Sequence, residues 1–224
     1  MIFSTAIPPN PQDHFGAKGR VIVDDAAVSG RPVAPLVVRD LDGDGEPEVA
    51  VMLFWGGQRC CFWSRIYRFD QRAGRFRATN HFWGNNQDKA MLRQLGSDAS
   101  VEFVSRDGRF QALFPTYSYV DPVQVWSYRR GRFRDVTPRF RSLVRRDARG
   151  LWAQYAHAPR GVESRWYLAA WVADEYRVDR RGTADAAVEQ ALASGRLDVS
   201  KSEHMASAKE WVGNLKAFLR RSGY

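Results

Sequence analysis

The hydrophobic pattern of the chain changes once, from short alternating runs to helical spacing. Up to Pro138, short runs of β-branched and aromatic residues are separated by glycine-containing turns, a pattern that predicts β-strands. Beyond Pro138, apolar residues recur at intervals of three and four, which predicts helices. We therefore expect an α+β protein, with an antiparallel β-rich part first and an α-helical part at the C-terminal end.

The same pattern predicts three regions along the chain. Residues 1–19 carry several prolines and no periodicity, so we expect an extended N-terminal arm. Residues 20–138 hold the predicted strands, beginning with Val21–Val23. Residues 139–224 hold four predicted helices, of which the first two span 146–157 and 163–177. The third is expected to be capped by Thr183 and to end at Ser194–Gly195. The fourth is expected to begin with a capping box of Ser200 and Glu203. On this last helix one apolar face carries Met205, Ala208, Trp211, Val212, Leu215, Phe218 and Leu219.

The β-rich part contains one order of elements twice. Two strand–turn–strand segments correspond: Ile66–Phe69 with Gly74–Arg77, and Val125–Tyr128 with Gly131–Arg134. Upstream of them, Gln94–Val104 aligns with Asp40–Ala50. Self-similarity of this kind predicts two supersecondary units of the same type, at about 33–79 and 91–138.

The stretch Asp40–Glu48 has the composition of a cation-binding loop. It reads D-L-D-G-D-G-E-P-E between two short apolar runs, so that carboxylates alternate with glycines that permit a tight turn. Calcium prefers several oxygen ligands of this kind in a short loop. The expected ligands are Asp40, Asp42, Asp44, the backbone carbonyl of Glu46, and Glu48 either directly or through water.

Two other interpretations of this loop are less favoured. An EF-hand requires a bidentate glutamate at the twelfth position, where this chain has Val51 between predicted strands. A polar hairpin turn explains the Asp-Gly pairs, but it gives no reason for four carboxylates that repel one another. We therefore predict a strand, an ion-binding turn and a strand.

The second copy of the loop has lost the residues that would hold an ion. Gln94 stands where Asp40 is and Gly96 where Asp42 is, so that only Asp98 and Glu102 keep carboxylates. Two carboxylates are too few for a calcium cage. The sequence predicts one metal site per chain and a second unit retained for its fold.

The loop and the apolar strand that follows it resemble the FG-GAP or VCBS-type repeat, with one intact and one degenerate copy in this chain. The resemblance covers about residues 33–138. It implies two propeller-blade-like units, calcium ligation by the residues named above, and an extracellular or cell-envelope location with a secretory signal. The chain departs from the repeat in two respects: Glu48 replaces the usual ninth-position aspartate, and two units do not close a propeller.

Composition and charge limit the other functions only slightly. The net charge of +9 permits anionic partners without requiring them. Cys60 and Cys61 are adjacent, which excludes a disulfide framework. No apolar run approaches the roughly 20 residues of a membrane span. Met1–Ala6 lacks the charged and apolar regions of a secretory signal, although Ser4–Ala6 resembles the end of one, so the sequence leaves secretion open.

No catalytic motif or zinc-ligand spacing occurs in the sequence, so we expect a non-enzymatic module, and a hydrolase is the least favoured alternative. His81 is expected to be a packing residue, although the stretch 81–86 has the aromatic and amide side chains of a sugar site. Arginines from 129 to 149 have Tyr128, Phe133 and Phe140 among them. A solvated, charged face at the junction of sheet and helices is the favoured interpretation of these residues, and binding of an anionic polymer, a carbohydrate or a protein at the cell surface is the alternative. No nucleic-acid motif accompanies them, and nucleic acid is not the expected partner.

Overall fold

The alternating part of the chain forms two antiparallel four-stranded sheets. The computed structural model describes residues 36–54, 62–84, 90–114, 120–200 and 205–224. The predicted arm, the predicted strand Val21–Val23 and the cysteine pair lie outside these ranges. The first sheet consists of β1 (Leu36–Arg39), β2 (Glu48–Phe54), β3 (Phe62–Asp70) and β4 (Arg75–Gly84), paired in that order.

The second sheet repeats this arrangement. It consists of β5 (Met91–Arg93), β6 (Glu102–Arg106), β7 (Val123–Arg129) and β8 (Arg132–Asp135), again paired in chain order. Neither sheet closes on itself within the described residues. Two short 3-10 helices, Gly108–Leu113 and Thr137–Arg139, follow β6 and β8.

The register of the strands confirms the alignment of the two loop segments. Arg39 pairs with Glu48 across β1 and β2, and Arg93 pairs with Glu102 across β5 and β6. Each loop therefore connects the same two positions of its sheet, with a glutamate as the first residue of the outgoing strand.

The two sheets face each other across a shared apolar core. Its buried residues come from both sheets and include Ile66, Trp83, Phe103 and Tyr128. The rings of Trp83 and Phe103 stack with centroids 5.5 Å apart.

The C-terminal part is helical, as the change of period predicts. It comprises α1 (Arg141–His157), α2 (Val162–Arg177), α3 (Arg181–Ala193) and α4 (Ala208–Arg221). The apolar stripe of α4 is buried from Ala208 to Leu219, and Met205 precedes the helix. The chain is thus an α+β protein, with the sheets first and the helices afterwards.

Two predicted helix caps are wrong. Thr183 lies inside α3, which begins two residues earlier, at Arg181. The last helix begins at Ala208 rather than after Ser200, and its cap is Ser207, whose hydroxyl accepts a hydrogen bond from the Glu210 N–H at 3.3 Å. Both serines are followed by glutamate three positions later, so the capping pattern occurs twice in the sequence, and the copy next to the apolar stripe caps α4.

None of the described helices combines the length and the apolar character needed to cross a bilayer.

Candidate metal centre

The loop between β1 and β2 is shaped by the carboxylate of Asp40. Its Oδ1 accepts a hydrogen bond from the Gly43 N–H at 2.7 Å, and its Oδ2 accepts one from the Gly45 N–H at 2.9 Å. Both glycines have positive φ angles, +77° and +90°, which residues other than glycine rarely adopt. The two glycines and the first aspartate therefore wind the chain back toward β2.

Glu48 places a buried carboxylate beneath this turn. Its side chain is fully buried, and Oε2 accepts a hydrogen bond from the Leu41 N–H at 3.0 Å. The other oxygen, Oε1, is buried without a hydrogen-bond partner. Burial, reinforced by the charges of Asp42, Asp44 and Asp40, raises the pKa of Glu48 to about 7. The site therefore penalises the carboxylate unless a cation compensates its charge.

Asp42 reaches from the first repeat to the second. Its side chain is only 6% exposed, and Oδ2 accepts a hydrogen bond from the Arg130 N–H at 2.8 Å. Arg130 belongs to the β7–β8 turn and has a φ angle of 49°, in the left-handed region. The Oδ1 atom of Asp42, like Oε1 of Glu48, is buried without a hydrogen-bond partner.

Oxygen atoms of three carboxylates converge at this point. One oxygen each from Asp40, Asp42 and Glu48 lie within 4.8 Å of one another. Carboxylate oxygens left unpaired in a buried position carry a large desolvation cost. A hard cation such as calcium, which takes oxygen ligands, is the kind of ligand that relieves this cost, so the three residues fit a metal ion.

The carboxylates of Asp44 and Glu46 have partners within the protein. Asp44 Oδ1 accepts a hydrogen bond from the Glu46 N–H at 3.0 Å, and Asp44 Oδ2 pairs with Arg68 Nη2 at 3.1 Å. The backbone bond from Glu46, followed by Arg68, lowers the pKa of Asp44. The Glu46 carboxylate accepts a hydrogen bond from Gln71. A ligand role for Asp44 and for the Glu46 carbonyl stays a prediction.

Sequence reasoning missed Arg68, a cationic residue at the edge of the site. Besides pairing with Asp44, its Nε lies 3.7 Å from Oε1 of Glu48, too far for a hydrogen bond. A signal was present in the repeat: Arg68 on β3 corresponds to Ser127 on β7, so the copy with the acidic loop has an arginine and the copy without it does not. The arginine offsets part of the loop's negative charge.

The second loop keeps the bond between its glutamate and a backbone amide. Among its described residues, no carboxylate oxygen is buried without a hydrogen-bond partner. Glu102 Oε2 accepts a hydrogen bond from the Leu95 N–H at 3.0 Å, as Glu48 does from Leu41. Asp98 accepts one from the Ser100 hydroxyl at 2.7 Å and pairs with Arg129 at 3.0 Å. Within the described ranges, Asp40, Asp42 and Glu48 form the one group of three or more histidine, cysteine, aspartate or glutamate residues that could hold a metal ion.

The two loops also touch each other. The Val101 N–H donates to the carbonyl of Leu41 at 3.2 Å. A Cβ atom at Gly43 would lie 3.6 Å from the backbone nitrogen of Ser100. The candidate metal centre is thus enclosed partly by its own repeat and partly by the next one.

Comparison of the chain with protein-family models, with curated proteins and with solved structures finds no match. The resemblance to the FG-GAP or VCBS-type repeat therefore stays a prediction, and its residues are those of the Asp40–Glu48 loop.

Proposed function

We propose that this chain is a non-enzymatic calcium-binding module in which the ion structures the loop between β1 and β2. The observation that carries the proposal is the pair of buried oxygens without hydrogen bonds, Asp42 Oδ1 and Glu48 Oε1, at the point where Asp40 also converges. Buried acceptors without hydrogen bonds cost free energy, and a cation bound by these carboxylates would offset that cost.

Asp40, Asp42 and Glu48 would hold the ion, with Asp44 and the Glu46 carbonyl as the further ligands expected from the sequence. Bound calcium supplies positive charge that neutralises the repelling carboxylates of the turn. For Asp44 to join, it must leave Arg68, whose side chain is about one-third exposed. Ion binding then replaces one cationic partner of the loop by another.

The finer description of the fold belongs to the same proposal. Each four-stranded meander corresponds to a propeller-blade-like repeat of the FG-GAP or VCBS type. Calcium at millimolar concentration is available outside the cytoplasm, so the module would work in the extracellular space or the cell envelope, where an anionic polymer, a carbohydrate or a protein would be its partner.

A calcium-dependent change in thermal stability tests the proposal. An ion that binds only the folded chain adds RT ln(1 + [L]/Kd), or about 1.4 kcal/mol for an affinity of about 10⁻⁴ M with calcium near 1 mM. For a chain of this size the expected rise in Tm is roughly 2–4 °C. Magnesium should raise the Tm less, because it demands octahedral geometry and releases its water reluctantly.

The melts are measured in chelator, in calcium and in magnesium, and calorimetry gives the number of sites. We expect one calcium site per chain. Three coincident melting curves would mean that the loop is only a polar turn, and two equivalent calcium sites would contradict the assignment of the second loop.

A further inference from the structure

The hairpin turn between β7 and β8 presents a concentrated positive charge. Arg129, Arg130, Arg132 and Arg134 line a concave site of about 540 Å³, and all four side chains are exposed. Arginine presents a planar set of donors that matches sulfate, phosphate and carboxylate groups. The shape and the donors together are those of an anion-binding site.

Three of the four guanidinium groups have no protein partner in the part of the chain that the structure describes. Arg129 is occupied, since it pairs with Asp98 at 3.0 Å and donates to the Ser100 hydroxyl at 3.2 Å. The side chains of Arg130, Arg132 and Arg134 form no hydrogen bond or ion pair with the described residues. Like charges crowded in one concavity repel each other, and a bound anion offsets that repulsion.

The aromatic residues of this hairpin face away from the arginines. Tyr128 is buried to 1% exposure, and the ring of Phe133 stacks on His81 with centroids 4.4 Å apart. Proteins that bind single-stranded nucleic acid need exposed aromatic faces for the bases. The hairpin has guanidinium groups without such faces, which favours a polyanion that has no bases.

Arg132 and Arg134 are two positions apart on β8, so their side chains leave the same face of the strand about 7 Å apart. A polymer with repeated anionic groups matches this spacing better than a single small anion. We propose that the β7–β8 hairpin binds an acidic polysaccharide through Arg130, Arg132 and Arg134.

The arginine site is connected to the candidate metal centre. The Arg130 N–H donates to Asp42, and Arg129 Nη1 approaches the carbonyl of Asp42 at 3.5 Å. A cation held by Asp42 reduces the negative potential beside the arginines, so calcium should strengthen polysaccharide binding, and the coupling is reciprocal. This part of the inference rests on the proposed calcium function, whereas the polysaccharide site itself does not.

The experiment measures binding of a fluorescent sulfated octasaccharide to the full chain in chelator, at several salt concentrations. Arg132→Gln with Arg134→Gln should weaken binding about tenfold and reduce the slope of log K against log salt by about two, since each lost contact with an anionic group lowers the slope by roughly one. Arg220→Gln with Arg221→Gln removes the same charge from exposed positions in the last turn of α4, and this control should change binding less than about twofold.

Three further arms make the result decisive. Arg132→Lys with Arg134→Lys keeps the charge and should retain most of the binding, which separates lost contacts from misfolding. A single-stranded oligonucleotide of equal charge should bind more weakly than the octasaccharide. The measurement in calcium is compared between the wild type and Asp42→Ala, and only the wild type should gain affinity through the loop.

Equal losses in the two glutamine double variants would overturn the assignment to the hairpin. Stronger binding of the oligonucleotide would overturn the choice of polysaccharide. If the octasaccharide binds in chelator as expected while calcium changes neither the Tm nor the affinity, the calcium function fails and the arginine site stands.

Discussion

The carboxylate of Asp42 has a different role for each of its two oxygens. One oxygen accepts the Arg130 N–H from the second repeat, and the other is buried without a hydrogen bond beside Asp40 and Glu48. Asp98, two residues from Gly96 in the degenerate loop, is satisfied by Ser100 and Arg129 and is exposed. The two aspartates therefore offer a matched comparison.

We expect Asp42→Ala to abolish calcium binding and Asp98→Ala to leave the affinity nearly unchanged. The first change removes a converging oxygen, and the second removes a carboxylate that lies outside the cluster. Isothermal calorimetry measures both affinities, and circular dichroism checks that both variants are folded. Similar affinities for the two variants would contradict the assignment of the metal centre to the first loop.

His81 is a packing residue, as its aromatic neighbours in the sequence predict. Its ring lies 4.1 Å from Trp83, 4.4 Å from Trp126 and 4.4 Å from Phe133, measured between centroids. Burial among these rings lowers the pKa of His81 from 6.5 to about 4. The folded state thus requires the neutral imidazole.

The contribution of His81 to the free energy of unfolding should consequently fall as the pH drops from about 6.5 to about 4, whereas Glu48, whose pKa is raised to about 7, contributes in the opposite direction. In this window the unfolded chain takes up a proton that the folded ring refuses, so protonation favours the unfolded state. We expect a loss of roughly 2 kcal/mol, a partial value because the ring keeps some contact with solvent. Urea unfolding across this range should show that His81→Phe gains stability relative to the wild type as the pH falls, because Glu48 is common to both proteins and its contribution cancels in the difference.

The exposed His157 at the end of α1 supplies the control for this measurement. His157→Gln removes an imidazole from an exposed position, and its unfolding is measured over the same pH range for comparison. An unchanged slope in His81→Phe would show that other groups cause the loss of stability.

At the scale of the elements, α4 is capped by Ser207, whereas the sequence predicted a cap at Ser200. Ser207→Ala removes the acceptor for the Glu210 N–H and should lower the free energy of unfolding by about 1 kcal/mol. Thr183→Ala changes an exposed position inside α3 and should be neutral or slightly stabilising, because alanine favours helix interiors. Chemical denaturation measures both, and a larger loss at Thr183 would contradict the observed boundaries.

Features set by short-range sequence were predictable, and features set by distant contacts were not. The strand–turn–strand order, the four helices and the alignment of the two loops follow from periodicity and turn residues, which act over a few positions. The position of Arg68 against Glu48 and of Arg130 against Asp42 depends on how β3 and the second sheet pack on the loop. Of the four predicted carboxylate ligands, Asp40, Asp42 and Glu48 converge, whereas Asp44 pairs with Arg68, a contact that the loop sequence does not reveal.

At the scale of the whole molecule, the loop of one repeat is fastened to the other. The Val101 N–H donates to Leu41, and the Arg130 N–H donates to Asp42. An ion that stabilises the first loop should therefore also stabilise the part of the second repeat that is hydrogen-bonded to it.

We expect calcium to slow hydrogen exchange at the amides of Val101 and Arg130 by roughly tenfold, which corresponds to about 1.4 kcal/mol of added local stability. The Ala158 amide, which donates to Gln154 at the end of α1, should keep its exchange rate because it lies in the helical part. Exchange monitored by NMR with and without calcium measures all three. Protection confined to residues 40–48 would show that the two repeats respond independently.

The paired bonds from Leu41 to Glu48 and from Leu95 to Glu102 bear on how such a loop changes over evolutionary time. In both copies one glutamate oxygen fixes the turn by holding a backbone amide at 3.0 Å. The second copy keeps this bond although Gln94 and Gly96 stand at the positions of Asp40 and Asp42. The aspartates of such a turn can therefore be replaced one by one while the connection between the two strands is retained.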